Sequence, residues 1–212
     1  LLIAATVAQA EDWPWYRGPN HDGTTGERIT ATWPLQVLWA TNVGFGYAET
    51  VVTGGRLYTW GWGNGTSYTY CLDPATGARI WSQSYPFNPV GNHQSQCSTL
   101  AVSDGKVYAM DRESTLYCYD AKDGKELWHK DINKELGFQC YQSERGEASS
   151  PVIEGNLILF CFGTWGAALD KNTGAKVWCH GSSGASFASA YVYTSGTNRI
   201  AAFNAAGGGA GV

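Results

Sequence analysis

Apolar and polar positions alternate along this chain in runs of four to eight, broken at regular intervals by glycine, a pattern that predicts strands and hairpins rather than helices. VVTGGRLYTW from Val51, LAVSDGKVYAM from Leu100 and SPVIEGNLILF from Ser150 each give an apolar run, a turn ending in Gly55, Gly105 or Gly155, and a second apolar run. Each is followed by a phrase that ends in tryptophan: TYCLDPATGARIW (Thr69 to Trp81), LYCYDAKDGKELW (Leu116 to Trp128) and GAALDKNTGAKVW (Gly166 to Trp178). In every copy an apolar run leads to an aspartate, Asp73, Asp120 or Asp170, and four residues later to Gly77, Gly124 or Gly174. The carboxylate can bond the turn backbone, and the glycine supplies the positive φ of a bulged hairpin. The last short strand then carries Trp81, Trp128 or Trp178, placed to wedge against a neighbouring sheet and bury roughly 150–250 Å².

The tryptophans recur about every 50 residues, a period that suits a four-stranded propeller blade and not a helical solenoid. The fold class expected is therefore all-β: a β-propeller of four-stranded antiparallel blades, with strands A to D running from the axis outward. Blades are expected at about 47–85, 97–131 and 148–180, with an incomplete blade over 186–212. LQVLWATNV, residues 35–43, holds Trp39 in a D-like strand with no A, B or C before it, the kind of orphan strand that closes a ring. Strands amounting to about four blades suggest half of a seven- or eight-bladed ring. Such a half ring would expose apolar blade faces and self-associate.

Residues 1–10, LLIAATVAQA, look like the back half of a secretory signal peptide ending in a small-residue cleavage site, and a buried N-terminal strand is the rival assignment. Residues 11–34 form an N-terminal extension. No stretch reaches the length of a membrane span. Aromatic residues make up 14% of the chain and charged residues 15%, which suits aromatic-rich sheets and argues against disorder. A net charge of −4 without a basic cluster gives no footprint for nucleic acid. An exported, periplasmic or extracellular protein is expected.

Candidate chemistry is sparse. Six cysteines in an exported chain invite disulfides, and sequence does not choose the pairing. Cys71 and Cys118 hold the same place in successive blades and read as buried thiols, whereas Cys97 and Cys140 lie near the axial mouth and are the pair to test first. No CxxC or CxxCH occurs, so zinc ribbons and covalent haem lack support. The loops from strand D to the next strand A carry Glu49, His93, Gln96, Glu144, Arg145 and Glu147. A ring of such groups could bind a small polar or anionic ligand, with Arg145 as a clamp and Glu144 or Glu147 as a cation ligand, or form a plain solvated rim. The four histidines show no metal spacing, and no metal site is expected. Trp60-Gly61-Trp62-Gly63 reads either as an aromatic loop for stacking on sugars or as a β-bulge.

The phrase L-x-[AC]-L-D-x-x-T-G-x-x-x-W resembles the tryptophan-docking repeat of the pyrroloquinoline quinone (PQQ) propeller superfamily, which includes quinoprotein dehydrogenases and BamB-type assembly factors. Trp13-Pro14-Trp15-Tyr16-Arg17-Gly18-Pro19-Asn20, with Gly23 following, resembles the start of exported PQQ-like propeller proteins common in planctomycete-type bacteria. The resemblance spans about residues 11–204 and implies fold more than activity. It leaves two main functions open. One is a non-catalytic scaffold or binding protein of the cell envelope, presenting a rigid rim or axial face to a protein or polymer partner. The other is a PQQ- and calcium-dependent dehydrogenase whose site lies partly in other blades. Relatives of that second kind stack PQQ beneath a vicinal disulfide, and no two cysteines are adjacent here.

Overall fold

Alternation of side chains along a strand decides where the core lies, because successive residues point to opposite faces of a sheet. The computed structural model describes residues 11–28, 34, 36–88, 95–139, 149–182, 187–204 and 210–211. The first sheet holds β1 (Val51–Thr53), β2 (Arg56–Gly63), β3 (Thr66–Leu72) and β4 (Arg79–Pro86). The second holds β5 (Ala101–Ser103), β6 (Lys106–Met110), β7 (Thr115–Asp120) and β8 (Glu126–Asp131). After a one-turn helix α1 (Ile132–Leu136), the third holds β9 (Val152–Glu154), β10 (Leu157–Phe160), β11 (Ala167–Asp170) and β12 (Lys176–Cys179). A fourth, three-stranded sheet holds β13 (Tyr191–Ser195), β14 (Asn198–Asn204) and β15 (Ala210–Gly211). Every sheet is an antiparallel meander, so chain order is also spatial order.

The core lies between blades. On β6, Val107 and Ala109 join Val51, Tyr58, Trp60 and Cys71 of blade one, while Tyr108 and Met110 join Ile153, Ile158 and Phe160 of blade three. Val152, Leu159 and Ala168 then meet Val192 and Phe203 of the fourth sheet. Both faces of an inner strand are thus buried, which is why β6 and β10 read as continuous apolar runs.

The repeated turn is built as its residues suggest. Asp73 Oδ1 accepts from the Ala75 and Thr76 backbone N–H groups at 2.9 and 2.8 Å, and Asp170 does the same for Asn172 and Thr173 at 2.9 Å each. These bonds hold both carboxyls below their ordinary range, led by the Thr76 and Thr173 side chains. Gly77, Gly124 and Gly174 take φ of +70°, +78° and +70°. The register then slips by a residue between β3 and β4, between β7 and β8 and between β11 and β12, a bulge in each.

Trp39, Trp81 and Trp128 each lie over the turn glycine of the following blade. A Cβ at Gly77 would overlap the Trp39 ring, and one at Gly124 would come within 2.7 Å of the Trp81 ring. Trp39 Nε1 donates to Pro74 O at 2.9 Å and Trp81 Nε1 to Ala121 O at 3.0 Å. Trp128 covers Gly174 in the same manner, although among the described residues its buried Nε1 finds no acceptor. Trp178 meets Phe203 edge to face at 5.6 Å.

Three expectations need correction or addition. Residues 36–43 around Trp39 are not a strand and join no ladder among the described residues, although Trp39 docks as a D-strand tryptophan would. Trp60-Gly61-Trp62-Gly63 is neither loop nor bulge but the end of β2. Trp60 is 2% exposed and donates to Ser98 O, Trp62 donates to Phe87 O, and a Cβ at Gly61 would overlap the Val43 carbonyl. Trp60 is therefore buried and offers no face for stacking on sugars, while Trp62 is half-buried with its N–H committed to Phe87 O. Helix α1 has no counterpart in the sequence reading. Asp131 caps it by accepting from Lys134 N–H, and Gly137 closes it at φ +85°.

Candidate functional site at the axial mouth

Four residues hold equivalent places, each two positions before its inner strand: Glu49 before β1, Thr99 before β5, Ser150 before β9 and Ser189 before β13. Glu49 N–H donates to Thr99 Oγ1 at 3.2 Å, Thr99 N–H to Ser150 Oγ at 2.9 Å, and Ser150 N–H to Ser189 Oγ at 2.9 Å. This ladder satisfies backbone donors that β pairing cannot reach and fixes each blade against the next at the axis. Glu49 is the departure: its carboxylate stands where the other blades place a hydroxyl.

The N-terminal extension crosses the inner strands. Trp13 exchanges both backbone hydrogen bonds with Val52, at 2.6 and 3.0 Å, and Val102 N–H donates to Pro14 O at 2.8 Å. Asp12 accepts from Thr53 Oγ1 and the Gly54 N–H. Trp15 packs on the core between blades two and three and stacks on His21, and the Arg17 guanidinium lies 5.9 Å from the Tyr191 ring centre in the fourth sheet. The edges of β1 and β5 that face the axis are covered in this way, which removes open pairing sites.

Above this segment a cleft of about 380 Å³ opens at the axial mouth, walled by Tyr16, Tyr47, Glu49, Cys97, Thr99, Ser150 and Phe187. It combines one exposed carboxylate, the Thr99, Ser150 and Ser189 hydroxyls, a thiol and aromatic walls, a set suited to a small ligand with a hydrogen-bond donor and an apolar face.

Of the residues singled out from sequence, Glu49 lines this cleft. Gln96 does not. Its amide is buried in the seam between blades one and two, where Nε2 donates to Ser67 Oγ at 2.8 Å and to Tyr85 OH at 3.3 Å. His93, Glu144, Arg145, Glu147 and Cys140 lie outside the described residues. Cys97 stands at the cleft, and Cys71 and Cys118 are buried thiols, with burial pushing Cys118 up to about 12.

Sequence reasoning missed a second polar feature in the Gln96 seam. Asp111 Oδ1 closes the β6–β7 turn by accepting from Glu113 and Thr115 N–H groups at 2.9 and 2.8 Å, while Oδ2 accepts from Tyr85 OH at 3.3 Å. Burial pushes this carboxyl up to about 7, and it also raises the Tyr85 phenol. The available signal was an acid directly after the apolar run of β6. Among the described residues no group of three His, Cys, Asp or Glu side chains comes together to hold a metal ion, and no helix is long and apolar enough to cross a membrane.

The family model for the outer membrane protein assembly factor BamB matches residues 64–178. The chain belongs to this family of PQQ-like propeller repeats. Quinoprotein ethanol dehydrogenase of Pseudomonas aeruginosa is 36% identical over 191 residues, covering 84% of this chain and 24% of its own. Quinohemoprotein alcohol dehydrogenase of Comamonas testosteroni is 26% identical over 200 residues, again 84% of this chain and 26% of the relative. The crystal structure of that Comamonas enzyme superposes with a TM-score of 0.63 at 22% identity, over 82% of this chain and 28% of the other. The chain thus spans about a quarter of the curated relatives it matches. Membership in this family accounts for the repeated Asp, Gly and Trp as architecture.

Proposed function

We propose that the chain is part of an exported, envelope-associated propeller that works as a non-catalytic binding scaffold, with the axial face as the docking surface for a protein or polymer partner. The observation that carries this is the crossing of the inner strands by the chain's own N-terminal extension, which pins blades one, two and four at the axis. A face held by backbone bonds and a hydroxyl ladder loses little freedom on binding, so a partner meets a preorganised surface. Glu49 supplies charge at this face, and Arg145 and Glu147, which the sequence suggests for the rim, are taken as further charged contacts in this proposal. The test is retention of a partner from an envelope extract by the full-length protein. Glu49→Lys and Arg145→Glu should each reduce retention, and undiminished retention by both would remove the axial face as the docking surface.

A second function is favoured by the 36% identity to a quinoprotein ethanol dehydrogenase. The cleft offers Glu49 and the Thr99 and Ser150 hydroxyls for a polar cofactor and the Tyr16 ring for its plane. One carboxylate is too few for calcium, which takes six to eight oxygens, so the described residues do not by themselves make a calcium and quinone site. Retention of a quinone absorbance after gel filtration of the full-length protein with PQQ and Ca²⁺ would establish the oxidoreductase and overturn the scaffold.

A further inference from the structure

The seam between the N-terminal extension and the fourth sheet encloses a smaller cavity of about 200 Å³, lined by Tyr16, Arg17, His21, Ala188, Ser189 and Tyr191. It adjoins the axial cleft through Tyr16, Ala188 and Ser189, but cationic and imidazole groups stand here in place of Glu49. His21 is 5% exposed and stacked on Trp15 with 5.1 Å between ring centres and 8° between planes. Among the described residues no hydrogen bond reaches its ring nitrogens. A neutral imidazole carries one donor and one acceptor nitrogen, and with no partner among the described residues both are available to a group in the cavity that His21 lines. Stacking on Trp15 fixes the ring plane, so the nitrogens lie along the ring edge at the cavity.

Arg17 stands at the rim. Its guanidinium lies over the Tyr191 ring and gives one N–H to Asp22 O at 3.0 Å. Among the described residues no carboxylate pairs with it. Asp22 is committed to the Thr24 N–H and hydroxyl at 2.9 and 2.7 Å, and Glu154 to Arg199 at 2.9 and 3.0 Å. The acids nearest the cavity spend their hydrogen bonds elsewhere, Asp22 acting on Arg17 and both acids on His21 only through space, and the arginine fork retains donors for a planar anion.

We propose that this cavity is a binding site for a small carboxylate with a short apolar body, held by the Arg17 guanidinium at the rim and by His21 at its depth. Ala188, Ala190 and the Tyr191 ring supply apolar walls that an alkyl chain covers and that inorganic phosphate would leave bare. The turn that positions both residues is closed by Gly18 N–H to Trp15 O and Gly23 N–H to Arg17 O, at 3.0 and 2.9 Å. The site is independent of the axial partner proposed above. Burial, then Arg199, holds the His21 ring below its ordinary pKa, with Glu154 and Asp22 opposing; an anion added beside Arg17 opposes it further, so binding should raise that pKa.

The test is butyrate titration of the full chain, read by calorimetry and by the His21 ring proton in NMR, with His21→Asn assigning the resonance; asparagine tolerates the φ of +58° there. Butyrate should shift the His21 signal saturably and raise its apparent pKa, Arg17→Gln should weaken binding about tenfold or more, and Lys125→Gln, an exposed residue outside both cavities, should leave it unchanged. The site is overturned if wild-type chain shows no saturable His21 shift, or if Arg17→Gln binds butyrate as tightly as wild type. Inorganic phosphate binding more tightly than butyrate would refute the assignment to carboxylates.

Discussion

Gly124→Ala should be among the most damaging single-methyl changes in the molecule, and its cost can be split into two parts. The φ of +78° comes first: an alanine in the left-handed region costs about 1–2 kcal/mol. The second part is packing. The new Cβ would sit 2.7 Å from Trp81 Cδ2 and Cε3, with ring carbons in place of any flexible side-chain end that could move aside. Trp81 is 8% exposed, wedged against Tyr58 and Tyr119, and held by its bond to Ala121 O. Displacing it adds overpacking strain of about 1–3 kcal/mol and endangers a bond worth about 0.5–1.5 kcal/mol. Gly105→Ala is the control, because its φ is +70° and nothing lies within 4 Å of the added carbon. Urea unfolding should show a loss of about 1–2 kcal/mol for Gly105→Ala and about 3–5 kcal/mol for Gly124→Ala. In a Trp81→Ala background the excess at Gly124 should vanish. Equal losses at the two glycines would refute the idea that the tryptophan wedge dictates the glycine.

Further outcomes follow from the same contacts. Asp111 is raised in the fold from 3.8 to about 7, so its stabilising contribution is full below the unfolded value and is lost as pH rises through about 7; the melting temperature of Asp111→Asn relative to wild type should climb from about pH 5 to about pH 8, and a flat difference would contradict the burial argument. Ser150→Ala removes the acceptor of the buried Thr99 N–H and should cost about 1–3 kcal/mol in urea unfolding, whereas a loss under about 0.5 kcal/mol would mean that the ladder contributes little. Trp128→Phe relieves a buried N–H that has no acceptor and should be tolerated better than Trp81→Phe, which breaks a bond; the opposite order in melting temperature would reverse that assignment.

What was legible in the sequence is what nearest neighbours along the chain decide. An Asp that bonds its own turn, a glycine in the left-handed region and an apolar run of period two are local chemistry, so β1 to β12 and their hairpins could be read directly. The misplacements of Gln96 and of the Trp60–Gly63 run turn on contacts with other segments rather than on local pattern. Gln96 follows the connection between two blades, and whether its amide faces the axis or the seam depends on Ser67 and Tyr85, far earlier in the chain. Trp60 and Trp62 read as a loop because glycines interrupt them, yet Gly61 is required by the approach of the Val43 carbonyl. Helix α1 carried a capping Asp131 and a closing Gly137, but five residues are too few to show a helical period. The crossing of the axis by Trp13 to Arg17 had no local signature beyond a motif without an evident task.

The repeats also supply a criterion for where binding chemistry should be sought. At the axial ladder, Thr99, Ser150 and Ser189 each use a hydroxyl to accept the backbone N–H of the preceding blade, so these side chains are accounted for by the fold. Glu49 gives its N–H to the same ladder, yet among the described residues no donor reaches its carboxylate. A charged group at this place is not needed to hold blade one to blade two, since the hydroxyl of Thr99 does that from the other side. The same reasoning separates Arg17 from Arg199. Arg199 is matched by Glu154 across two sheets and is explained by stability, whereas Arg17 stands over a tyrosine beside a cavity with no acid assigned to it. Residues that satisfy the repeat hold the propeller together. Glu49, Arg17 and His21 satisfy nothing in the repeat and line cavities, and for that reason they are the groups through which this chain should recognise a ligand.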